Sequence, residues 1–204
     1  MARLVIKQRK SSKVKVVHVI RHGEAQHNVN EKFLLKHDTK LTKRGQRQAK
    51  SLHRLLPKLK PQAAVTSAVL RALQTTRGIG FCGPTVVVPE AREVGGWPAN
   101  SPIESREALS NEMEAKFGRY DWSLVATGPG RRSSHWESTR QIKDRARRLS
   151  RWLERRSEES LLLVSHGEFL QHLTGDDYMD NCEVRSYSLN RGKWQRLRRV
   201  KCGV

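Results

Sequence analysis

The chain has few cysteines and no long apolar run, and both shortages narrow what it can be. Cys82, Cys182 and Cys202 are scattered and form no C-x-x-C pair, so the sequence indicates neither a disulfide framework nor a zinc knuckle. No apolar stretch approaches the roughly 20 residues that a membrane-spanning helix needs. The N-terminal segment also lacks the apolar core of a secretory signal. We therefore expect a soluble protein of a reducing compartment, cytoplasmic or, because its termini are basic, nuclear.

Acidic residues are scarce as well. Asp and Glu number 20 against 40 Lys and Arg, which gives a formal net charge of +20. Such a surface attracts anionic partners and speeds their association. Phosphorylated metabolites, phosphoproteins, nucleic acids and anionic membranes all meet that condition, so charge alone does not choose between an enzyme and a binding module.

Three signatures of phosphate chemistry are also missing. No cysteine opens the C-x-x-x-x-x-R loop of cysteine phosphatases, no dense Asp/His cluster suggests a two-metal site, and no P-loop is present. A phosphate site in this chain must therefore be built from other residues.

Short β-branched or apolar runs alternate with segments of helical spacing. Strands are predicted at 14–20, 63–67, 85–88, 161–164 and 184–189, the last as an edge strand. Helices are predicted over 41–56 and 141–156 and after Ser67 and Gly167. The pattern predicts a single α/β domain over 1–204, with a mostly parallel sheet and helices on both faces. A basic arm (1–13), an excursion that covers a site (97–137) and a basic tail (191–204) complete the expected organisation.

Two of the predicted strands end in His-Gly. The first runs into Arg21-His22-Gly23 and the fourth into Ser165-His166-Gly167. Ligands of open α/β sheets bind beyond the C-terminal ends of the strands, so the two ends could converge on one pocket. His18, inside the first strand, lies too far from His22 to bind the same metal ion and is predicted to be structural.

The ordered motifs resemble the histidine phosphatase superfamily, also called phosphoglycerate mutase-like. The resemblance covers most of the chain and runs through RHGEAQHN from Arg21, DTKLTKRGQRQA from Asp38, TSAVLRALQTT from Thr66, AREV around Glu93 and VSHG ending at Gly167. It implies the phosphoglycerate mutase-like fold and a phosphomonoester hydrolase that needs no metal or other cofactor.

The resemblance also implies a nucleophile and a phosphate pocket. His22 is implied to accept the phosphoryl group as a phosphohistidine that water then hydrolyses. A neutral imidazole suits this role, because its free nitrogen is nucleophilic near pH 7. The residues implied to bind the phosphate are Arg21, Asn28, Arg71, His166 and Gly167, with Arg21, Arg71 and His166 also counted as catalytic.

Glu93 matches the family's acidic residue, which protonates the leaving oxygen and later deprotonates the attacking water. Glu90, on the other side of the same turn, is the rival, and the family pattern favours Glu93. Glu24 and Glu168 are expected to act as caps or partners of helix dipoles. His27 is expected to line the mouth of the site.

The substrate is less well defined. Mutases of this superfamily carry an R-F-x-G-W pattern after the equivalent of Asn28, whereas this chain reads VNEKFLLKH over 29–37, which favours a phosphatase. We expect a small phosphorylated metabolite or another phosphorylated anion as substrate. A second anionic group could be bound by Lys32, Lys36, Arg131 and Arg132, whose alternative role is solvated surface charge. Mutase-type phosphoryl transfer and an anion- or nucleic-acid-binding protein on the same fold stay open as alternatives, and the oligomeric state is not indicated.

Overall fold

A computed structural model describes residues 14–37, 39–101, 115–125 and 136–197. The strands within these ranges are β1 (Lys15–Arg21), β2 (Ala63–Thr66), β3 (Thr85–Val87), β4 (Ser160–Ser165), β5 (Val184–Asn190) and β6 (Lys193–Arg196). They form one sheet in the order β3-β2-β4-β1-β5-β6. The first four strands run parallel to one another, and β5 and β6 are antiparallel additions. The predicted mostly parallel sheet is confirmed.

The helices begin close to where the sequence places them. They are α1 (Gln26–Val29), α2 (Lys43–Ser51), α3 (Leu56–Leu59), α4 (Leu70–Ile79), α5 (Thr139–Arg155) and α6 (Gly167–Thr174), with short 3-10 turns at Glu31–Leu35, Leu52–Leu55, Pro89–Ala91 and Pro98–Asn100. The predicted cap of α2 is present, since the Thr42 hydroxyl accepts the Gly45 N–H at 3.0 Å. None of the helices in the described ranges combines the length and the apolarity needed to cross a bilayer.

Helices cover both faces of the sheet, and β4 shows why. Its side chains alternate between faces, so Leu161 and Leu163 join the core with α5 and α6, while Leu162 and Val164 join the core with α2 and α4. A central strand buried on both sides is therefore apolar throughout, as the run in the sequence indicates.

The prediction of β5 as the edge strand is wrong, because β6 pairs along its outer side. Arg191 and Gly192 connect the two strands with positive φ angles of 51° and 73°. Two central residues of this kind form the type I′ turn that suits a two-residue hairpin. The start of the expected basic tail is therefore sheet, held by a hydrogen bond from Trp194 Nε1 to Ser150 Oγ at 2.9 Å.

The expected arm at 1–13 and much of the excursion at 97–137 lie outside the described residues. The described part at 115–125 packs onto the sheet edge rather than only covering a site. Asp121 pairs with Val86 of β3, and Phe117 and Trp122 are buried beside α4. This segment extends the sheet at its β3 edge.

His18 is a structural histidine, in agreement with the prediction. Its Nδ1 lies 2.8 Å from Ser186 Oγ and its Nε2 lies 3.1 Å from the Leu59 carbonyl. Both ring nitrogens are thus used to join β1 to β5 and to the end of α3.

Candidate active site

The ends of β1 and β4 bring the two His-Gly motifs together. These strands are adjacent and parallel, and their register pairs Arg21 with Ser165, so the next residues leave the sheet side by side. The His22 N–H donates to the Ser165 carbonyl at 2.9 Å. The His22 and His166 rings, 1% and 0% exposed, have centroids 5.2 Å apart. One buried pocket therefore contains both histidines.

The surroundings of His22 fix its tautomer. Its Nδ1 lies 2.7 Å from the Gly23 carbonyl, which can only accept a hydrogen bond, so Nδ1 carries the proton and Nε2 keeps a lone pair. The Arg71 Nε–H donates to that Nε2 at 3.1 Å. Burial, helped by the charges of Arg71 and Arg21, holds the pKa of His22 well below its usual value. The imidazole is therefore neutral at pH 7.

Arg71 lies in the first turn of α4, and its guanidinium is fixed on every side. Nη1 donates to the Ala99 carbonyl at 2.5 Å and Nη2 to the Asn100 side-chain oxygen at 2.9 Å. Asn100 is itself held by a hydrogen bond to the Val94 carbonyl at 2.8 Å. Burial lowers the pKa of Arg71 to about 10, which still leaves the group charged at neutral pH. The start of the excursion is thus built into the site.

Two buried side-chain nitrogens of the described residues have no hydrogen-bond partner, and both belong to residues of this site: Arg21 Nε and His166 Nδ1. Arg21 is otherwise held by the Met179 carbonyl at 2.8 Å and by the Tyr178 ring, 4.6 Å below its guanidinium. His166 Nε2 lies 2.9 Å from Ser67 Oγ. An unsatisfied buried polar group costs about 1–3 kcal/mol, and the oxygens of a bound anion would remove that cost for both nitrogens.

Glu93 connects the turn after β3 to the start of α6. Its Oε1 accepts the N–H groups of Val94 at 2.9 Å and Phe169 at 3.0 Å. Burial raises the pKa of Glu93, against the opposing influence of Arg71 and of these two hydrogen bonds. The carboxyl group consequently stays protonated at a higher pH than an exposed glutamate does.

Glu90 lies in a different environment. It lines a cavity of about 370 Å³ on the α5 side, together with Trp152 and arginines of that helix. The two acids of this turn are therefore separated, with Glu93 against the helix that follows His166.

Asn28 and Gly167 lie in the first helices after β1 and β4, α1 and α6. Asn28 is exposed, and its side-chain oxygen accepts the Ala25 N–H at 2.9 Å and the Asn181 amide at 3.4 Å. Gly167 starts α6, where an added Cβ would lie 2.5 Å from the Tyr178 ring. Because glycine has no Cβ, the Tyr178 ring can pack against this position and also against the Arg21 guanidinium.

His27 lies beside the predicted nucleophile. Its ring centroid is 5.8 Å from that of His22, and its Nδ1 is 3.0 Å from Thr39 Oγ1. Burial and the charges of Arg71 and Arg21 lower the pKa of His27 to about 3. His27 therefore adds a further neutral imidazole beside His22.

The other candidates are placed away from the centre. Glu24 accepts hydrogen bonds from Thr42 at 2.6 Å and Arg44 at 3.2 Å, which joins its loop to α2. Glu168 is exposed in the first turn of α6. Lys32 and Lys36 are exposed in or next to the turn after α1, whereas Arg131, Arg132 and Asp38 lie outside the described residues.

Several supporting residues are missing from the sequence prediction. Arg145, 1% exposed on α5, binds both carboxylate oxygens of Glu137 and donates to the Glu90 and Arg92 carbonyls at 2.8 and 2.7 Å. These hydrogen bonds hold the turn that carries Glu93 against α5. The position of Arg145, three residues after Ile142 and four before Leu149 on the buried face of α5, is the signal that separates it from the exposed arginines of the same helix. Ser67 also carries a signal, since it follows a strand that ends at the same edge of the sheet.

Comparison with known proteins agrees with the fold. Residues 17–200 match the family model of the histidine phosphatase superfamily (branch 1). A "Probable phosphatase" of Schizosaccharomyces pombe is 26% identical over 75% of this chain and 74% of its own length. "Phosphoglycerate mutase-like protein 1" of Arabidopsis thaliana is 24% identical over 84% of this chain and 80% of its own length.

A solved structure of a mycobacterial glucosyl-3-phosphoglycerate phosphatase superposes with a TM-score of 0.60 at 20% identity, covering 89% of this chain and 97% of that one. At this identity the superposition shows a shared fold. The family model, by contrast, spans nearly the whole described chain and both His-Gly strand ends. This chain therefore belongs to branch 1 of the histidine phosphatase superfamily.

Proposed function

We propose that this chain, a phosphatase of that superfamily, hydrolyses phosphomonoesters through a phosphohistidine formed on His22. The observation that carries the proposal is the buried His22, whose Nε2 lone pair accepts a hydrogen bond from Arg71, beside two buried nitrogens that have no hydrogen-bond partner, Arg21 Nε and His166 Nδ1. The proposed substrates are small phosphorylated metabolites or other phosphorylated anions.

The pocket suits a transferring phosphoryl group because its cations are fixed before substrate arrives. Arg71 and Arg21 are each held by backbone carbonyls, so their donors need little reorganisation to bind equatorial oxygens. His166 Nδ1 supplies a further donor when Ser67 satisfies its Nε2. Asn28 and the first backbone N–H of α6, at Gly167, are proposed to complete the set.

In the first step, the Nε2 lone pair of His22 attacks phosphorus. The N–P bond forms as the P–O bond to the substrate alcohol breaks, and Arg71 shifts its donation from Nε2 to a phosphoryl oxygen. Glu93 gives its proton to the leaving oxygen. Its Oε1 already accepts two backbone hydrogen bonds, so Oε2 is the atom proposed to carry that proton.

In the second step, water attacks phosphorus and the N–P bond breaks. The Glu93 carboxylate takes a proton from the water and returns to its starting state, while His22 recovers its lone pair. Positive charge for the transferring group comes from arginine side chains in both steps, which supports turnover without a metal ion.

The test is phosphate release from an aryl phosphate in excess EDTA. We expect wild-type activity to persist and His22→Ala to lose at least about a thousandfold of kcat, as for removal of other covalent nucleophiles. His172→Ala, which changes a histidine on α6 outside the pocket, is the matched control and keeps activity.

Trapping the intermediate makes the test specific. Protein quenched in alkali during turnover of labelled substrate retains label, and the label is lost on acid treatment, as expected for phosphorus bound to nitrogen. Turnover that requires an added metal, or a fully active His22→Ala, would contradict the mechanism.

A further inference from the structure

A second basic cavity of about 710 Å³ opens between α2, α4 and the segment 115–119. Its lining residues are Gln46, Lys50, Gln74, Arg77, Gly78, Lys116, Phe117 and Arg119. Four of these eight residues are cationic and none is acidic. We propose that this cavity binds a small anion that carries two or more phosphate groups, at a site distinct from the pocket of His22.

The cations converge because two helices cross closely at this point. A Cβ added to Gly78 would lie 2.8 Å from the Ala49 Cβ, so the glycine lets α4 approach α2. Lys50 and Arg77 are the sequence neighbours of these two contact residues and are brought together by the crossing. The segment 115–119 forms the third wall. It is held in place by Phe117, which is 1% exposed and packs in the core beside α4.

Three cations of the cavity are unpaired within the part of the chain that the structure describes. The side chains of Lys50, Arg77 and Arg119 form no ion pair among the described residues, although Arg44, Arg92 and Arg185 do. A phosphate monoester carries about −1.5 to −2 at pH 7, so two such groups match the charge of these three cations.

Amide groups add hydrogen-bond donors to the same walls. Gln74 uses its side-chain oxygen to accept the Leu41 N–H at 2.8 Å, which leaves its amide nitrogen as a donor. Gln46 contributes a second amide on α2. Cations and amides together suit phosphate oxygens and the hydroxyl groups of a sugar.

Shape favours a small molecule over a nucleic-acid strand. The volume falls within the roughly 300–1,000 Å³ of typical small-molecule sites, and the cations line a concavity rather than an extended stripe. Arg77 lies six residues after Arg71 on α4, about 9 Å along the helix axis. The site is thus separate from the phosphate pocket, and binding there does not depend on the proposed chemistry.

Calorimetric titration with inorganic tripolyphosphate, compared with orthophosphate, tests the proposal. His22→Ala protein is used so that the probe is not turned over. We expect tripolyphosphate to bind and orthophosphate to bind at least tenfold more weakly. We expect the triple variant Lys50→Gln, Arg77→Gln, Arg119→Gln to weaken tripolyphosphate binding at least tenfold.

The matched control removes the same charge from exposed sites elsewhere. It is the triple variant Arg54→Gln, Lys58→Gln, Arg140→Gln. We expect this control to retain affinity within about twofold and the bound probe to protect residues 43–51, 70–79 and 115–119 from hydrogen exchange.

Several results would overturn the site. One is that tripolyphosphate does not bind. Another is that its affinity falls equally in both triple variants. A third is that protection from hydrogen exchange is confined to 21–28 and 166–170. Preferential binding of a single-stranded oligonucleotide, lost in the first triple variant, would assign the cavity to nucleic acid instead. Phosphate release by wild-type protein and by the first triple variant is assayed separately, so that failure here is distinguished from failure of the proposed hydrolase activity.

Discussion

At the scale of single residues, burial pushes the pKa values of the central acid and base in opposite directions. The pKa of His22 is lowered and that of Glu93 is raised, each mainly because burial disfavours its charged form. Burial therefore favours the neutral imidazole of His22 and the protonated carboxyl group of Glu93. This is the pair of protonation states that the first step of the proposed reaction requires.

The choice between Glu93 and Glu90 gives a direct prediction. An alkoxide leaves poorly without a proton, so Glu93→Gln is expected to slow hydrolysis of alkyl phosphates by about 10²–10⁴-fold and of p-nitrophenyl phosphate much less. Glu90→Gln, in the same turn, should leave both rates unchanged. The measurement is kcat/KM across substrates of graded leaving-group pKa, and a steeper dependence in Glu90→Gln would show that the acid is misassigned.

At the scale of elements, the site depends on close contact between α2 and the loop after β1. A Cβ added to Gly45 would lie 2.0 Å from the Glu24 carbonyl oxygen, and one added to Gly23 would lie 2.7 Å from the Gly45 carbonyl oxygen. These neighbours are backbone atoms, which cannot rotate away. The loop that carries His22 can therefore pack this closely against α2 only because Gly23 and Gly45, one on each side of the contact, have no side chain.

Gly45→Ala is accordingly expected to lower the free energy of unfolding by about 1–3 kcal/mol, because the packed backbone must move. It should also lower kcat/KM through the displaced loop. Arg47→Ala, at an exposed position of the same helix, is the control and should change stability by no more than about 0.5 kcal/mol. Urea unfolding checks both variants, and equal stability of the two would contradict this account of the contact.

The elements differ in how far the sequence predicts them. β1, β4 and α5 are recognised from apolar periodicity, which is a local property. β6 is not recognised, although Arg191-Gly192 is a plausible hairpin turn, because its exposed residues lack the alternation of a half-buried strand. The continuous helix predicted to Pro57 is instead α2, a 3-10 turn and α3, with Pro57 in the first turn of α3.

At the scale of the whole molecule, buried neutral histidines and a large positive charge both lower the stability of the folded state in acid. The pKa values of His22 and His166 lie well below 6.5 in the folded state, mainly because of burial. The unfolded chain therefore binds protons that the native state excludes. Added positive charge on a +20 chain increases self-repulsion in the same pH range.

We therefore expect full stability above about pH 6.5 and a progressive loss as pH falls towards the lowered pKa values of the folded state. Each of the two histidines contributes up to about 1.4 kcal/mol per pH unit in that range. Glu93 opposes the loss, since its raised pKa lets the native state bind a proton first. Urea unfolding between pH 5 and 7.5 measures the slope, which should be shallower in His22→Asn; an unchanged slope in that variant would contradict a neutral His22.

The sequence by itself determined the family motifs, the strands that end in His-Gly and the charge that attracts anions, because these reside in local pattern and composition. Tertiary structure decided which groups meet. The in-register pairing of Arg21 with Ser165 brings His22 beside His166, and packing of the excursion sets Asn100 against Arg71. Such contacts join residues far apart in the chain, and they depend on strand register and burial, which no local pattern encodes.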